Sequence, residues 1–184
     1  MSRRTLVASA GGAACVGALR RAVAATSQPA LSAIPTAAHE RAMRQAIAEA
    51  RRNPVYPFGA VIVRAASGAV AARGVNATRI NPILHGEIAT MNDFVARHGN
   101  KDWSEHILYT TGEPCPMCMS ALVWAGIGGV VFASSIDSIR RAGIDQIDIS
   151  AKSVADASPF WHGTLLGGVL QAETDQMFLQ RRRQ

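Results

Sequence analysis

His85-Gly86-Glu87 and Pro114-Cys115-Pro116-Met117-Cys118 hold the residues whose types and spacing could do chemistry. One imidazole and two thiols form a donor set that Zn²⁺ favours. Cysteines at i and i+3 share one face of a helix or its first turn, so Cys115 and Cys118 can grip one ion. His85 is then the third ligand. Three protein ligands leave a tetrahedral ion one position, where a catalytic site keeps water. Zinc brings the pKa of that water towards neutrality. Glu87, a carboxylate beside the metal with no ligand role, becomes the general acid and base that carries the water's proton to a leaving group. A closed structural site needs a fourth ligand instead. The third cysteine, Cys15, lies in an N-terminal stretch expected to be removed, and His39, His98, His106 and His162 stand in no metal-ligand spacing.

The elements around these residues can be read from periodicity. Residues 26–35 are polar and proline-flanked, a linker. Thr36 is placed to cap a helix in which Met43, Ala46, Ile47 and Ala50 share one face, ending before Pro54. Strands are expected over 58–63 and 70–75 with a turn at Ala66-Ser67-Gly68, followed by a loop that delivers His85. A second helix carries Ile88, Met91 and Val95 on one face and stops at Gly99. A strand over 107–111 leads into the cysteine helix, a fourth strand covers 130–132, and a short helix lies around 138–142. A fifth strand over 164–170 and a last helix over 173–181 complete the chain. This order predicts an α/β domain, one sheet between helix layers. Both metal-binding segments then fall at helix starts, which favour the negative charge of two thiolates and a hydroxide.

Composition bounds the rest. The chain has 184 residues, 48% hydrophobic and 17% charged, which suits one globular domain and excludes a disordered chain. The net charge of +6 falls to +2 without Arg3, Arg4, Arg20 and Arg21, and to −1 without Arg181, Arg182 and Arg183. No basic groove for a polynucleotide is expected, and the terminal arginines read as a solvated tail. Ser2-Arg3-Arg4-Thr5-Leu6-Val7 reads as a twin-arginine export signal, followed by an uncharged stretch over 6–19 too short to span a bilayer. Ala22-Val23-Ala24 supplies a cleavage pattern. The expected organisation is a signal over 1–25, a linker over 26–35 and a catalytic domain over 36–184. The mature protein is expected to be exported to the periplasm, without a membrane segment, the alternative being a cytoplasmic protein with an alanine-rich tail.

The joint pattern H-x-E followed by P-C-x-x-C resembles that of zinc nucleobase deaminases. From residue 36 onward the chain resembles the cytidine deaminase superfamily. Residues 57–63, the Glu113-Pro114-Cys115-Pro116-Met117-Cys118 stretch and Trp124-Ala125 are most similar to bacterial guanine deaminases. His85-Gly86-Glu87-Ile88 and Leu108-Tyr109-Thr110-Thr111 are shared with fungal-type cytosine deaminases. The resemblance implies a three-layer α/β/α sandwich with a five-stranded mixed sheet, usually a homodimer. It implies that Asn76 hydrogen-bonds the base, that Phe58 and Trp124 wall the pocket, and that the Cys115 N–H and Glu87 help hold the tetrahedral intermediate. One departure stands out. Guanine deaminases carry two consecutive acidic residues after the fourth strand, where this chain has Asp145-Gln146. An amide cannot shuttle a proton.

The expected activity is hydrolytic deamination of a small nucleobase or nucleoside, with Zn²⁺ bound by His85, Cys115 and Cys118 and water attacking the amino-bearing ring carbon. Guanine is the first expected substrate and cytosine the second. A tRNA adenosine deaminase fits less well, since the body lacks a basic face. A non-catalytic zinc module has no use for Glu87, and a thiol oxidoreductase none for His85.

Overall fold

The computed structural model describes residues 30–182. The expected export signal, Cys15 and the first residues of the linker lie outside the described residues. The rest of that linker is not a plain spacer. Leu31–Ala33 form a 3-10 turn, and Leu31 is buried against the sheet.

Five strands form one sheet: β1 (Gly59–Arg64), β2 (Val70–Val75), β3 (His106–Gly112), β4 (Gly129–Ser134) and β5 (Thr164–Leu166). Their order is β2-β1-β3-β4-β5. The β1/β2 and β1/β3 pairs are antiparallel, and the β3/β4 and β4/β5 pairs are parallel. The sheet is buried on both faces, so the strands read as apolar runs rather than alternating ones. Alternation survives as a division of partners. Val61, Val63, Ile107, Tyr109, Val131 and Ala133 point to one face and pack on α1 (Thr36–Ala50) through Met43, Ala46 and Ile47. Ala60, Ile62, Leu108 and Val130 point to the other face. There they meet Phe94 of α2 (Gly86–His98) and Met119 and Leu122 of α3 (Pro116–Ala125). Burying a side chain such as Phe94 completely is worth about 2–3 kcal/mol, so this two-sided core carries the fold.

The remaining helices are α4 (Ile136–Arg141), α5 (Ala151–Asp156) and α6 (Gln171–Leu179). The mixed five-stranded sheet between helix layers is the expected architecture. Four local expectations change. Pro35, not Thr36, is the N-cap of α1, with no side-chain cap bond. The inward face of α2 is Glu87, Thr90 and Phe94, whereas Ile88 and Met91 are half-buried and Val95 is exposed. Two polar residues take inward positions: Glu87 because the site uses it, and Thr90 because its hydroxyl donates to the Ala60 and Gly86 carbonyls. β5 ends at Leu166, since Gly167 packs on the Phe132 ring and Gly168 turns with φ +88°. α5, short and capped by the Ser150 hydroxyl accepting from the Ser153 N–H, has no periodic apolar face to announce it.

Candidate active site

Two helix starts converge at the C-terminal end of β3. His85 is the N-cap of α2 and Cys115 the N-cap of α3, both in extended conformation with no side-chain cap bond, so their side chains are free for other partners. Pro116 occupies the first helical position of α3, where its missing N–H is not needed. Gly86 lets α2 approach the sheet. A Cβ there would lie 2.5 Å from the Phe58 carbonyl oxygen. The two helix starts bring His85, Cys115 and Cys118 together, with their ligand atoms all within 4.8 Å of one another. Among the described residues they are the only such group.

The donor set fits zinc. Cys115 Sγ lies 3.7 Å from His85 Nδ1, and tetrahedral zinc bonds of ordinary length separate such a pair by about 3.6 Å. The Cys115 thiol is pulled down to about 4, first by a hydrogen bond from Cys118 and also by His85. The same bond, with burial, pushes Cys118 upward. The opposite directions follow from one proton shared between the two sulfurs, and a divalent cation held by the pair would take that proton's place. His85 is raised by its bond to Cys115 against the opposing effect of burial.

Glu87, in the first turn of α2, is 3% exposed. Burial pushes its carboxyl above the ordinary value, opposed by its backbone N–H bond and by the Thr110 hydroxyl, which donates to Oε1 at 3.2 Å. A carboxyl held towards neutrality beside a metal centre suits a group that both takes and gives a proton.

These residues open into a cavity of about 160 Å³ whose walls include His85, Glu87, Cys115, Phe58 and Asn76. The β1/β2 pairing places Asn76 beside Phe58, whose carbonyl accepts the Asn76 N–H at 2.8 Å. Asn76 Oδ1 accepts from the Thr78 N–H and hydroxyl at 3.3 and 2.9 Å and from Asn53 Nδ2 at 3.5 Å. Its Nδ2 is therefore the atom left for a ligand, a donor only. Trp124 is not brought to the cavity. It is 79% exposed and rests on Phe160 with ring centroids 5.0 Å apart. The reason is helical phase: Cys118, Met119 and Leu122 turn inward, and Trp124 is about 200° round from Leu122.

Sequence reasoning missed Tyr56, Thr78 and Glu113, which also line the cavity, and the Thr110 and Asn53 bonds behind it. Asp145 and Gln146 line it together, so an acidic residue stands at the wall beside the amide at 146. Volume alone does not locate the site. A larger cavity of about 410 Å³ between α1 and α6 holds Arg51 and Glu173 but no metal-ligand group.

Residues 36–134 match the family described as the cytidine and deoxycytidylate deaminase zinc-binding region. The chain belongs to this deaminase family. It is 35% identical to the guanine deaminase of Bacillus subtilis over 115 residues, 59% of this chain and 72% of that protein. It is 32% identical to the tRNA-specific adenosine deaminase of Streptococcus pyogenes serotype M1 over 110 residues, 57% of this chain and 62% of that protein. The solved guanine deaminase of Nitrosomonas europaea shares the fold, with a TM-score of 0.64 at 23% identity, over 79% of this chain and 82% of that one. The family's zinc-binding region contains all three candidate ligands and Glu87.

Proposed function

We propose that this protein is a zinc-dependent hydrolytic deaminase of a free nucleobase or small nucleoside, with guanine as the first candidate substrate and cytosine as the alternative. The observation that carries the reading is the buried Glu87 carboxyl set against a His–Cys–Cys metal centre at the end of a small cavity. Zn²⁺, when bound by His85, Cys115 and Cys118, supplies Lewis acidity and lowers the pKa of water. Glu87 takes a proton from the attacking water and delivers it to the substrate ring nitrogen as the C–O bond forms; it then carries the second proton, from the new hydroxyl, to the amino group, which leaves as ammonia as the C–N bond breaks. Thr110 fixes the carboxyl through Oε1. Asn76 Nδ2 donates to an acceptor on the heterocycle edge, and the Phe58 ring, braced by Phe178 with centroids 4.9 Å apart, gives an apolar wall.

A free base is favoured over tRNA on two grounds. The cavity volume of about 160 Å³ is below the roughly 300 Å³ of drug-sized sites, and residues 30–182, Arg181 and Arg182 included, carry a net charge of only +1. Guanine is supported by the 35% identity to the Bacillus enzyme and by Asp145 at the wall. The test is ammonia release from guanine, cytosine, adenine and their nucleosides, with a tRNA anticodon stem in the same panel. Turnover of one free base is expected, and turnover of the stem alone would overturn the reading.

The exposed Trp124–Phe160 pair supports the expected homodimer, as an aromatic surface that a second copy could cover. The Arg3-Arg4 motif supports export through the twin-arginine route. Replacing both arginines by lysine should hold the protein in the cytoplasm, and unchanged fractionation would end that proposal. Among the described residues no helix is long and apolar enough to cross a membrane.

A further inference from the structure

Glu113 directly follows the third strand, two residues before Cys115, and it is 8% exposed. Its carboxylate makes no ion pair among the described residues; it accepts two backbone N–H groups far apart in sequence. Oε2 accepts from Ile136 at 2.9 Å and Oε1 from Ala151 at 2.8 Å. These are the first residues of α4 and α5. Everything between them is the excursion 136–151, whose middle carries Ile144, Asp145 and Gln146 along the cavity. The Glu113 backbone is itself fixed, its N–H donating to the Ser134 carbonyl at 2.7 Å.

We infer that Glu113 is a positioning residue, a clasp that closes both ends of the 136–151 excursion and so sets where the Ile144–Asp145–Gln146 wall meets the substrate. As a statement about substrate handling it rests on the deaminase reading above. The middle of the excursion is pinned independently. Gly143, with φ +78°, turns the chain, and its carbonyl accepts Arg181 Nη2 at 2.8 Å. Ile144 packs with Ile139, Phe178 and Phe58. Arg181 therefore does not belong to a solvated tail. With the centre held by apolar contact and one arginine, the two ends decide the loop's span, and both ends are held by one carboxylate. Each bond joins a carboxyl oxygen to the N–H of a buried residue, the kind of bond whose loss is felt most.

Because Asp145 and Gln146 line the cavity and are not among the metal ligands, loosening the clasp should act on substrate binding and leave zinc in place. Glu113→Gln tests this on the zinc-loaded full chain. The amide can accept only one of the two N–H groups and turns its own NH₂ on the other. The expected result is about tenfold faster amide exchange at Ile136 or Ala151 and through 143–149, about tenfold higher KM, kcat within about threefold, and unchanged zinc content. Glu113→Asp keeps charge and both acceptors but is one methylene short, so it should fall between wild type and Gln; it carries the test alone if the Gln variant does not fold. Exchange through 143–149 equal to wild type in the folded variant would overturn the inference, as would a loss of kcat at constant KM. A wild-type protein inactive on every base would sink the deaminase reading, while the exchange data would still decide the clasp.

Discussion

Glu87→Gln is the substitution that separates a catalytic carboxyl from a structural one. The side chain is 3% exposed, and its polar support includes its own backbone N–H and the Thr110 hydroxyl at 3.2 Å. Glutamine keeps the volume and can still accept from Thr110, but it cannot move a proton. General acid–base catalysis contributes about 10²–10⁴ in rate, which corresponds to about 3–5 kcal/mol of transition-state stabilisation. Burial pushes the Glu87 carboxyl upward, so the ionised form is disfavoured in the fold and a neutral amide removes that penalty. The thermal midpoint of the variant should therefore be equal to or above that of wild type. The assay is steady-state ammonia release beside metal analysis by plasma mass spectrometry. A fall in kcat of at least about a hundredfold is expected, with one zinc per chain and a melting midpoint no lower than that of wild type. Retention of more than about a tenth of kcat would remove Glu87 from proton transfer. Loss of zinc would make it a ligand.

Gly86→Ala should destabilise the protein by about 2 kcal/mol or more, because the added Cβ would sit 2.5 Å from the Phe58 carbonyl, and chemical denaturation reads the loss. Tyr109, buried and bonded to His39 Nδ1 at 3.0 Å, is pushed up to about 12 by burial. The folded state then holds this proton where the unfolded chain releases it, so stability should fall as pH rises from about 10 to about 12, by about 2 kcal/mol. Tyr109→Phe should lack that decline, and an identical pH dependence in wild type and variant would contradict the buried phenol. Trp124→Arg, on an exposed surface, should leave zinc content unchanged and shift the sedimentation coefficient towards that of a monomer; an unchanged coefficient would remove this face from the proposed dimer.

Much of the fold was legible because the local signals agree with the tertiary demands. Met43, Ala46, Ile47 and Ala50 repeat at helical spacing and all face the sheet. The strands announced themselves as apolar runs because helices cover both faces. Failures occurred where a tertiary demand overrode the local pattern. Ile88, Met91 and Val95 have the spacing of a core stripe, yet α2 is rotated so that Glu87 and Thr90 face inward. Thr90 is held there by its hydroxyl, which donates to the Ala60 and Gly86 carbonyls at 3.2 and 2.7 Å. No count of apolar residues can find a face that is chosen by polar bonds.

The same distinction separates the legible part of the site from the hidden part. His85, Glu87, Cys115 and Cys118 were legible because the metal imposes residue types at fixed spacing on two helix starts, and that spacing is local. Asn53, Thr78, Thr110 and Glu113 act through partners 2 to 38 residues away that only the folded chain brings near. They matter for a physical reason that complements the metal. A thiolate pair and an imidazole can fix an ion by themselves, but nothing in that trio places a heterocycle beside it. In the proposed reaction, placement falls to Asn76, whose free donor exists because Thr78 and Asn53 occupy its oxygen, and to the 144–146 wall, whose span is, on our inference, closed by one carboxylate just past the end of β3. Reaction class is thus written locally in the ligand motif. Choice of base is written in long-range hydrogen bonds around it, which is where members of one zinc family can diverge in substrate while keeping the same four reactive residues.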